Sequence, residues 1–454
     1  MSGGAPGRER PKRACLVHAW PWRLGRLVLA AAVMSAAPGV AEAAWTRTYV
    51  VEWNEPALYY GGKDGGAVEP GSDCPKGANP DPDWTAVLVK AGYAPAEARA
   101  LLDLESRTLT RDQQFNQMAF RGRNRANVFA DPASTPDPGF VEVTGQVGEG
   151  IDLDGDRRTG FTSPSGERGV DNAFYRAMGC WKYYRGPPRT SATLVAANDN
   201  ARNGAWTVVI VVSGSGPDPL NDDQVRLGVY LSADRLAKNS GGEAQRDYTF
   251  RIRPHRAYEA LFTGRTSGGR ITTDATDRVV VRDAAFGQGL ELLNARAQLR
   301  MLPDGRLSGY LGGYRPWATL YDEFMKHRGA VFEYFAGIQM PQLWYAFRRN
   351  ADFSPTGPGG PKTHISYALR IDALPAYVTE PDGGALVTGA RSYRDVAPPD
   401  EPPLTYPTRP TAYRVVDGLS ARPGEPPAPP LTADMLRQAV QSNARAQAGA
   451  GGTP

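Results

Sequence analysis

The sequence predicts a mostly β (α+β) fold: sandwich-like antiparallel sheets, a loop- and helix-containing N-terminal region, and a helical insertion near residues 317–347. Three observations carry this expectation. Apolar and other residues alternate through Val225, Leu227, Val229 and Leu231, and again through Ile365, Tyr367, Leu369, Ile371 and Ala373, the period of strands with one buried face. Residues 206–212 (WTVVIVV) form a continuous apolar run, suited to a strand covered on both sides. Pro303, Asp304 and Gly305 separate two further strand-like stretches and mark a hairpin turn.

In chain order, residues 46–53 are rich in β-branched and aromatic side chains and open the domain as a strand. Residues 54–83 are dominated by Gly, Pro, Asp and Asn and read as loop. Pro95 suits the first position of a helix running to Leu104. Residues 122–168 return to loop chemistry, broken by a strand-like run over 140–143. Tyr248, Phe250 and Ile252 alternate, as do Ala295, Ala297, Leu299 and Met301, which the turn joins to a strand over 307–314. Breaks near Gly329, Gly337 and Pro341 divide the helical stretch into two or three helices. A weak helix over 432–447 follows near the C-terminus.

Composition divides the chain into three parts. Residues 1–43 read as a signal peptide: Arg8, Arg10, Lys12, Arg13, Arg23 and Arg26 precede an apolar run over 27–37, and Ala41-Glu42-Ala43 supplies small residues for cleavage. The run falls short of the roughly 20 apolar residues that span a bilayer. The expected destination is the periplasm or the medium, with no membrane span after cleavage. Residues 44–395 read as a single large β-rich domain, loop- and helix-rich over 54–190 and strand-rich over 200–380. Residues 396–454 are a proline-rich linker and tail, eleven prolines falling within 398–430. Of 52 basic and 48 acidic residues the leader holds six and two, so the rest carries 46 of each. The apparent basicity belongs to the leader, and no nucleic-acid partner is expected.

Three cysteines are present, and Cys15 lies in the leader. Cys74 and Cys180 remain, an even pair for an oxidising compartment, and a disulfide between them is expected. Two cysteines so far apart exclude a cysteine zinc site, and no C-x-x-C-H for haem attachment is present. No phosphate-binding glycine loop or dinucleotide fingerprint follows any strand, so neither flavin nor nucleotide is expected.

The most distinctive segment is 148–181, GEGIDLDGDRRTGFTSPSGERGVDNAFYRAMGCW. Asp152, Asp154 and Asp156 alternate around Gly155 in an order resembling the start of a calcium-binding loop, where carboxylates converge on a hard cation. The resemblance then fails, since Arg157 stands at the sharp-turn glycine position and Ser163 at the bidentate glutamate position. A different calcium geometry would draw further oxygens from Glu167, Asp171 or Asn172, giving Asp152, Asp154, Asp156 and Asp171 as the candidate metal ligands. The competing reading, and the commoner one for such a string, is a polar turn with Asp171 capping the short helix before Gly179. On these residues, IDLDG…TSPSGERGVDN…YRAMGCW, the chain resembles a group of exported, mostly proteobacterial proteins of uncharacterised activity. The likeness runs from WNEPALYYGGK to DALPAYV and implies a single exported family, with no activity attached.

Other chemistry is sparse. Outside the leader the histidines are His255, His327 and His364. Glu323 and His327 share a helical spacing, but H-E-x-x-H is absent and no third ligand suggests itself. Ser213 and Ser215 lie among glycines without the G-x-S-x-G frame of a nucleophile elbow. No catalytic residue emerges. Aromatic clusters at Trp181, Tyr183 and Tyr184 and over 332–347 read mainly as core, with a ligand-stacking surface as the alternative. The resulting expectation is an exported binding or accessory protein of unknown ligand, calcium-stabilised and without catalysis of its own. Two alternatives stand beside it: a secreted carbohydrate-active hydrolase or lyase using a carboxylate pair, and an envelope interaction or structural protein whose proline-rich tail meets a partner.

Overall fold

The computed structural model describes residues 43–58, 71–186, 188–205, 207–283, 288–326, 329–399 and 431–450. Most of the expected leader, residues 59–70 of the first loop, His327 and the linker residues 400–430 lie outside the described residues.

The domain opens with β1 (Trp45–Pro56), then α1 (Trp84–Lys90), α2 (Pro95–Leu102) and α3 (Arg111–Met118). A small hairpin, β2 (Phe161–Thr162) and β3 (Arg168–Val170), leads into α4 (Ala173–Met178) and α5 (Ala192–Asn200). Seven strands follow: β4 (Val208–Gly214), β5 (Asp222–Ser232), β6 (Thr249–Arg253), β7 (Glu259–Ser267), β8 (Arg270–Thr273), β9 (Thr276–Asp283) and β10 (Gln288–Met301). β11 (Leu307–Pro316) runs directly into α6 (Trp317–Lys326), α7 (Gly329–Ala336) and α8 (Met340–Asn350). β12 (His364–Pro375), β13 (Tyr377–Thr379) and α9 (Ala433–Ala450) complete the order.

Eight strands close on themselves in the order β1-β12-β11-β10-β8-β7-β5-β4, each neighbour antiparallel, with β4 returning to β1. The architecture is therefore a barrel, not the expected sandwich. Alternation reports that one face of a strand is buried and is identical in the two architectures. Closure rests on β7, which pairs β5 on one side and β8 on the other; no alternation in the sequence distinguishes β7 or β8, whose EALFTGRTS and RITT mix Gly, Arg and Thr into the apolar positions.

The interior is one continuous apolar core that includes Val51, Ile210, Leu227, Phe262, Leu299 and Leu369. The alternate residues of β4, Val209 and Val211, face outward beneath Phe250, Ile252, Val378 and Tyr393 in a second cluster. That double cover accounts for the unbroken apolar run. The hairpin between β10 and β11 forms as read: Leu302 N–H donates to Arg306 C=O at 2.8 Å, and Gly305 adopts φ +84°. The helical insertion divides into α6, α7 and α8 at the expected breaks, Gly337 at φ +63° and Pro341 in the first turn of α8. No strand forms over 140–143, where backbone bonds run instead to Asn79 and Arg176.

Candidate metal site

Segment 146–172 crosses the outer face of β11 and β12. Ile151 and Leu153 pack there with Tyr314, Tyr310 and Phe353, and a side chain at Gly312 would meet Ile151 Cδ1 and Leu153 Cδ2 at 3.4 Å. The β2–β3 hairpin folds the segment back, and Ile151 bridges Asp171 as an antiparallel pair. Gly169 makes the return possible. Its φ is +89°, and a Cβ there would lie 3.0 Å from Arg157 Cα and 3.2 Å from Asp152 Oδ2.

This fold brings three of the four expected ligands together. Carboxylate oxygens of Asp152, Asp154 and Asp171 lie within 4.8 Å of one another. Each carboxylate spends one oxygen on the backbone: Asp152 Oδ1 accepts from Gly155 N–H at 2.7 Å, and Asp154 Oδ1 from Asp156 N–H at 2.7 Å. Asp171 Oδ2 accepts from Leu153 N–H at 2.7 Å and Asp154 N–H at 3.1 Å. The other oxygen of each has no hydrogen-bond partner among the described residues, and none of the three forms an ion pair there. Two oxygens on one calcium ion stand at most about 5 Å apart, twice the 2.3–2.6 Å bond length, so the observed spread matches the open end of a shared shell.

Asp156 goes elsewhere. It bonds Arg158 through side chain and backbone, and the guanidinium holds its carboxyl down at about 2. Glu167 pairs with Arg270 on β8. Asn172, not Asp171, caps α4: its Oδ1 accepts from Tyr175 N–H at 3.1 Å, while its Nδ2 donates to Ala57 and Glu149 carbonyls. The expected cap is thus shifted by one residue, because Asp171 is turned toward the 153–154 backbone.

Two groups that the sequence did not connect with this loop stand beside it. Asp352, after α8, accepts from Ser366 N–H at 2.8 Å and Ser366 Oγ–H at 2.5 Å, and burial pushes its carboxyl up. Tyr314 on β11 stacks on Phe353 with centroids 4.0 Å apart, its hydroxyl pushed up by burial and then by Asp171, Asp352 and Asp154. Asp171 itself is 8% exposed and is pushed up to about 7, first by burial and then by the charge of Asp154, with Asp352 adding a smaller push. The site is a cluster of three carboxylates, which a hard divalent cation would neutralise. Asp352 and Tyr314 lie far from the acidic loop in sequence, so only their convergence on β11 and β12 reveals them.

The remaining sequence candidates take structural places. Cys74 and Cys180 stand at disulfide distance, Sγ–Sγ 2.08 Å, both buried, with Arg185 held between Cys74 Sγ and Asp73. Of the aromatic clusters, Trp181, Tyr184 and Phe347 are buried in a network with Phe174, Phe324 and Tyr367, whereas Tyr183, Tyr334, Trp344 and Tyr345 are half-buried and Phe335 is exposed. His255 accepts backbone N–H bonds from Ala257 and Tyr258, and His364 bonds Thr363. Among the described residues no helix is long and apolar enough to cross a membrane.

Fold and site together define a closed antiparallel β-barrel with extra strands, several helices and an acidic loop on its outer wall. No family model, curated protein or solved structure matches this chain.

Proposed function

We propose that this is an exported, calcium-stabilised binding or accessory protein, with the cation held by Asp152, Asp154 and Asp171. One observation carries the reading: three carboxylates from two separate turns converge, each with one oxygen fixed by backbone N–H groups and the other free. Carboxylates pre-oriented in this way suit a hard cation, whose remaining positions water and backbone carbonyls fill. The leader-like N-terminus and the paired Cys74 and Cys180 support an oxidising destination.

Thermal unfolding with calcium and with a chelator tests the reading. Calcium is expected to raise the midpoint of the unmodified chain and to leave that of Asp152→Ala plus Asp154→Ala unmoved; at 100-fold excess over Kd the gain is about 2.7 kcal/mol. A midpoint that ignores calcium reduces the loop to a turn. A second reading rests on the same residues. A carboxyl pushed up to about 7 by burial has the protonation behaviour of a general acid in glycoside cleavage. Release of reducing sugar from polysaccharide, abolished by Asp171→Asn, would favour that enzyme over the binding protein.

A further inference from the structure

A cleft of about 500 Å³ lies beside β1 and β12, where Glu52 and Leu374 line it. One wall is segment 237–245, folded on itself by the antiparallel bridge of Lys238 with Ala244 and by Asn239 N–H donating to Glu243 C=O at 2.8 Å. A second wall is the β10–β11 turn. There Arg306 Nε donates to Asp304 Oδ2 at 2.6 Å, and Arg246 Nη2 to the Asp304 carbonyl at 2.7 Å. Arg189 and Arg202 supply the third, their guanidinium groups 5.5 and 5.0 Å from the ring centre of buried Trp53. Four arginines thus line one cleft whose own carboxylates are Glu52 and Glu243.

These arginines differ in what they have left to donate. Arg189 is spent on Glu52 and Asp372. Arg202 stands 3.6 Å from exposed Asp199, too far for a hydrogen bond, and its buried Nε has no partner among the described residues. Arg246 bonds a carbonyl through Nη2 and Arg306 a carboxylate through Nε; their other N–H groups have no partner among the described residues.

We propose that this cleft binds an acidic saccharide, its carboxylate taken by Arg202, Arg246 and Arg306 and its hydroxyls donating to Glu243 and Gln245. A planar guanidinium matches a carboxylate through paired N–H bonds. Several hundred Å³ suits an organic molecule and far exceeds what a bare phosphate or sulfate fills. Glu243 repels a compact dianion yet accepts a hydroxyl, and Ala244 and Leu374 offer an apolar floor to the C–H face of a sugar ring. The assignment rests on the reading of the chain as a binding protein. It shares no residue with the acidic loop, so either site can fail alone.

Isothermal titration of digalacturonate, lactose and inorganic phosphate into the full chain, with a chelator present to remove calcium, tests this. Digalacturonate is expected to bind with Kd below about 1 mM, and lactose at least about tenfold more weakly. Arg246→Gln plus Arg306→Gln, at the surface of the turn, should weaken digalacturonate at least about tenfold with the melting midpoint unchanged, as should Arg202→Gln by itself. No binding of digalacturonate, or equal binding by folded variants, overturns the proposal. Phosphate binding as tightly as digalacturonate, with the same dependence on arginine, makes the cleft a bare oxyanion site and overturns the saccharide. A melting midpoint that ignores calcium would sink the cation site and leave this result standing.

Discussion

Asp171 is held by two backbone N–H groups yet stands among like charges, and burial dominates the balance. Its folded-state value of about 7 lies above the unfolded aspartate value of about 4, so the fold binds this proton more tightly than the open chain does. The cation-free protein therefore has the full benefit of this group below about pH 4 and loses it as pH rises through about 7. Under the proposed function a bound calcium ion would displace that proton, so its apparent affinity should rise up to about pH 7 and level off above. Isothermal titration between pH 5 and pH 8 checks this, and Asp171→Asn should flatten the profile by removing the titrating group while keeping a backbone acceptor. Gly169 is the second decisive residue. Gly169→Ala places a methyl against Arg157 Cα in a left-handed conformation, and a loss of about 1–3 kcal/mol in urea unfolding is expected, with a weaker calcium response.

Buried polar contacts that the sequence does not announce join elements, among them one to α7 and one to α6. Arg121, after α3, makes a bidentate pair with Glu333 of α7, both buried, and lies over the rings of Trp84 and Phe129 at 5.3 and 5.8 Å. Arg121→Met leaves Glu333 buried without its counter-charge and should cost about 3–5 kcal/mol, whereas Arg121→Met with Glu333→Leu should recover most of it; denaturant midpoints of the three chains decide. Arg315 follows the inward phase of β11 and meets Glu323 of α6 inside the end of the barrel, over the ring of Tyr367 at 5.5 Å. The phase of the 307–313 alternation was the available signal, since it carries Arg315 to the same face as Leu307 and Leu311. Cys74 and Cys180 tie the segment before α1 to the end of α4 across 106 positions. Replacing both by alanine should lower stability by about 2–5 kcal/mol, read as a lower melting midpoint under oxidising conditions and no change under reducing ones.

At the scale of the whole molecule the barrel has no free edge along its eight strands, which removes the pairing hazard of an open sheet and couples every strand to two neighbours. Phe262 on β7 is buried against the interior opposite Leu227 of β5, at the seam that closes the ring. Phe262→Ala should cost about 3–5 kcal/mol. Because the seam is shared, far-ultraviolet circular dichroism and tryptophan fluorescence should fall together at one lower midpoint. Separate transitions would mean that β5 and β7 open without the rest.

Strand and helix positions over most of 200–375 were legible because each depends on near neighbours: alternation for β5, β6 and β12, double burial for β4, a Pro-Asp-Gly turn for the β10–β11 hairpin, and glycine and proline breaks for α6, α7 and α8. The cysteine pair was legible by elimination, and the acidic run by its spacing. Only the tertiary structure decided that the sheet closes, since closure is a pairing between β5 and β7 that no local period encodes. It alone decided which carboxylates meet, because Asp171 arrives by a hairpin, Tyr314 by strand register, Asp352 through its bonds to Ser366 of β12, and Asp156 is drawn off by an arginine two residues away. Period and turn chemistry act over a few residues, whereas a barrel seam and a cluster of charges are set by contacts between segments far apart in the chain.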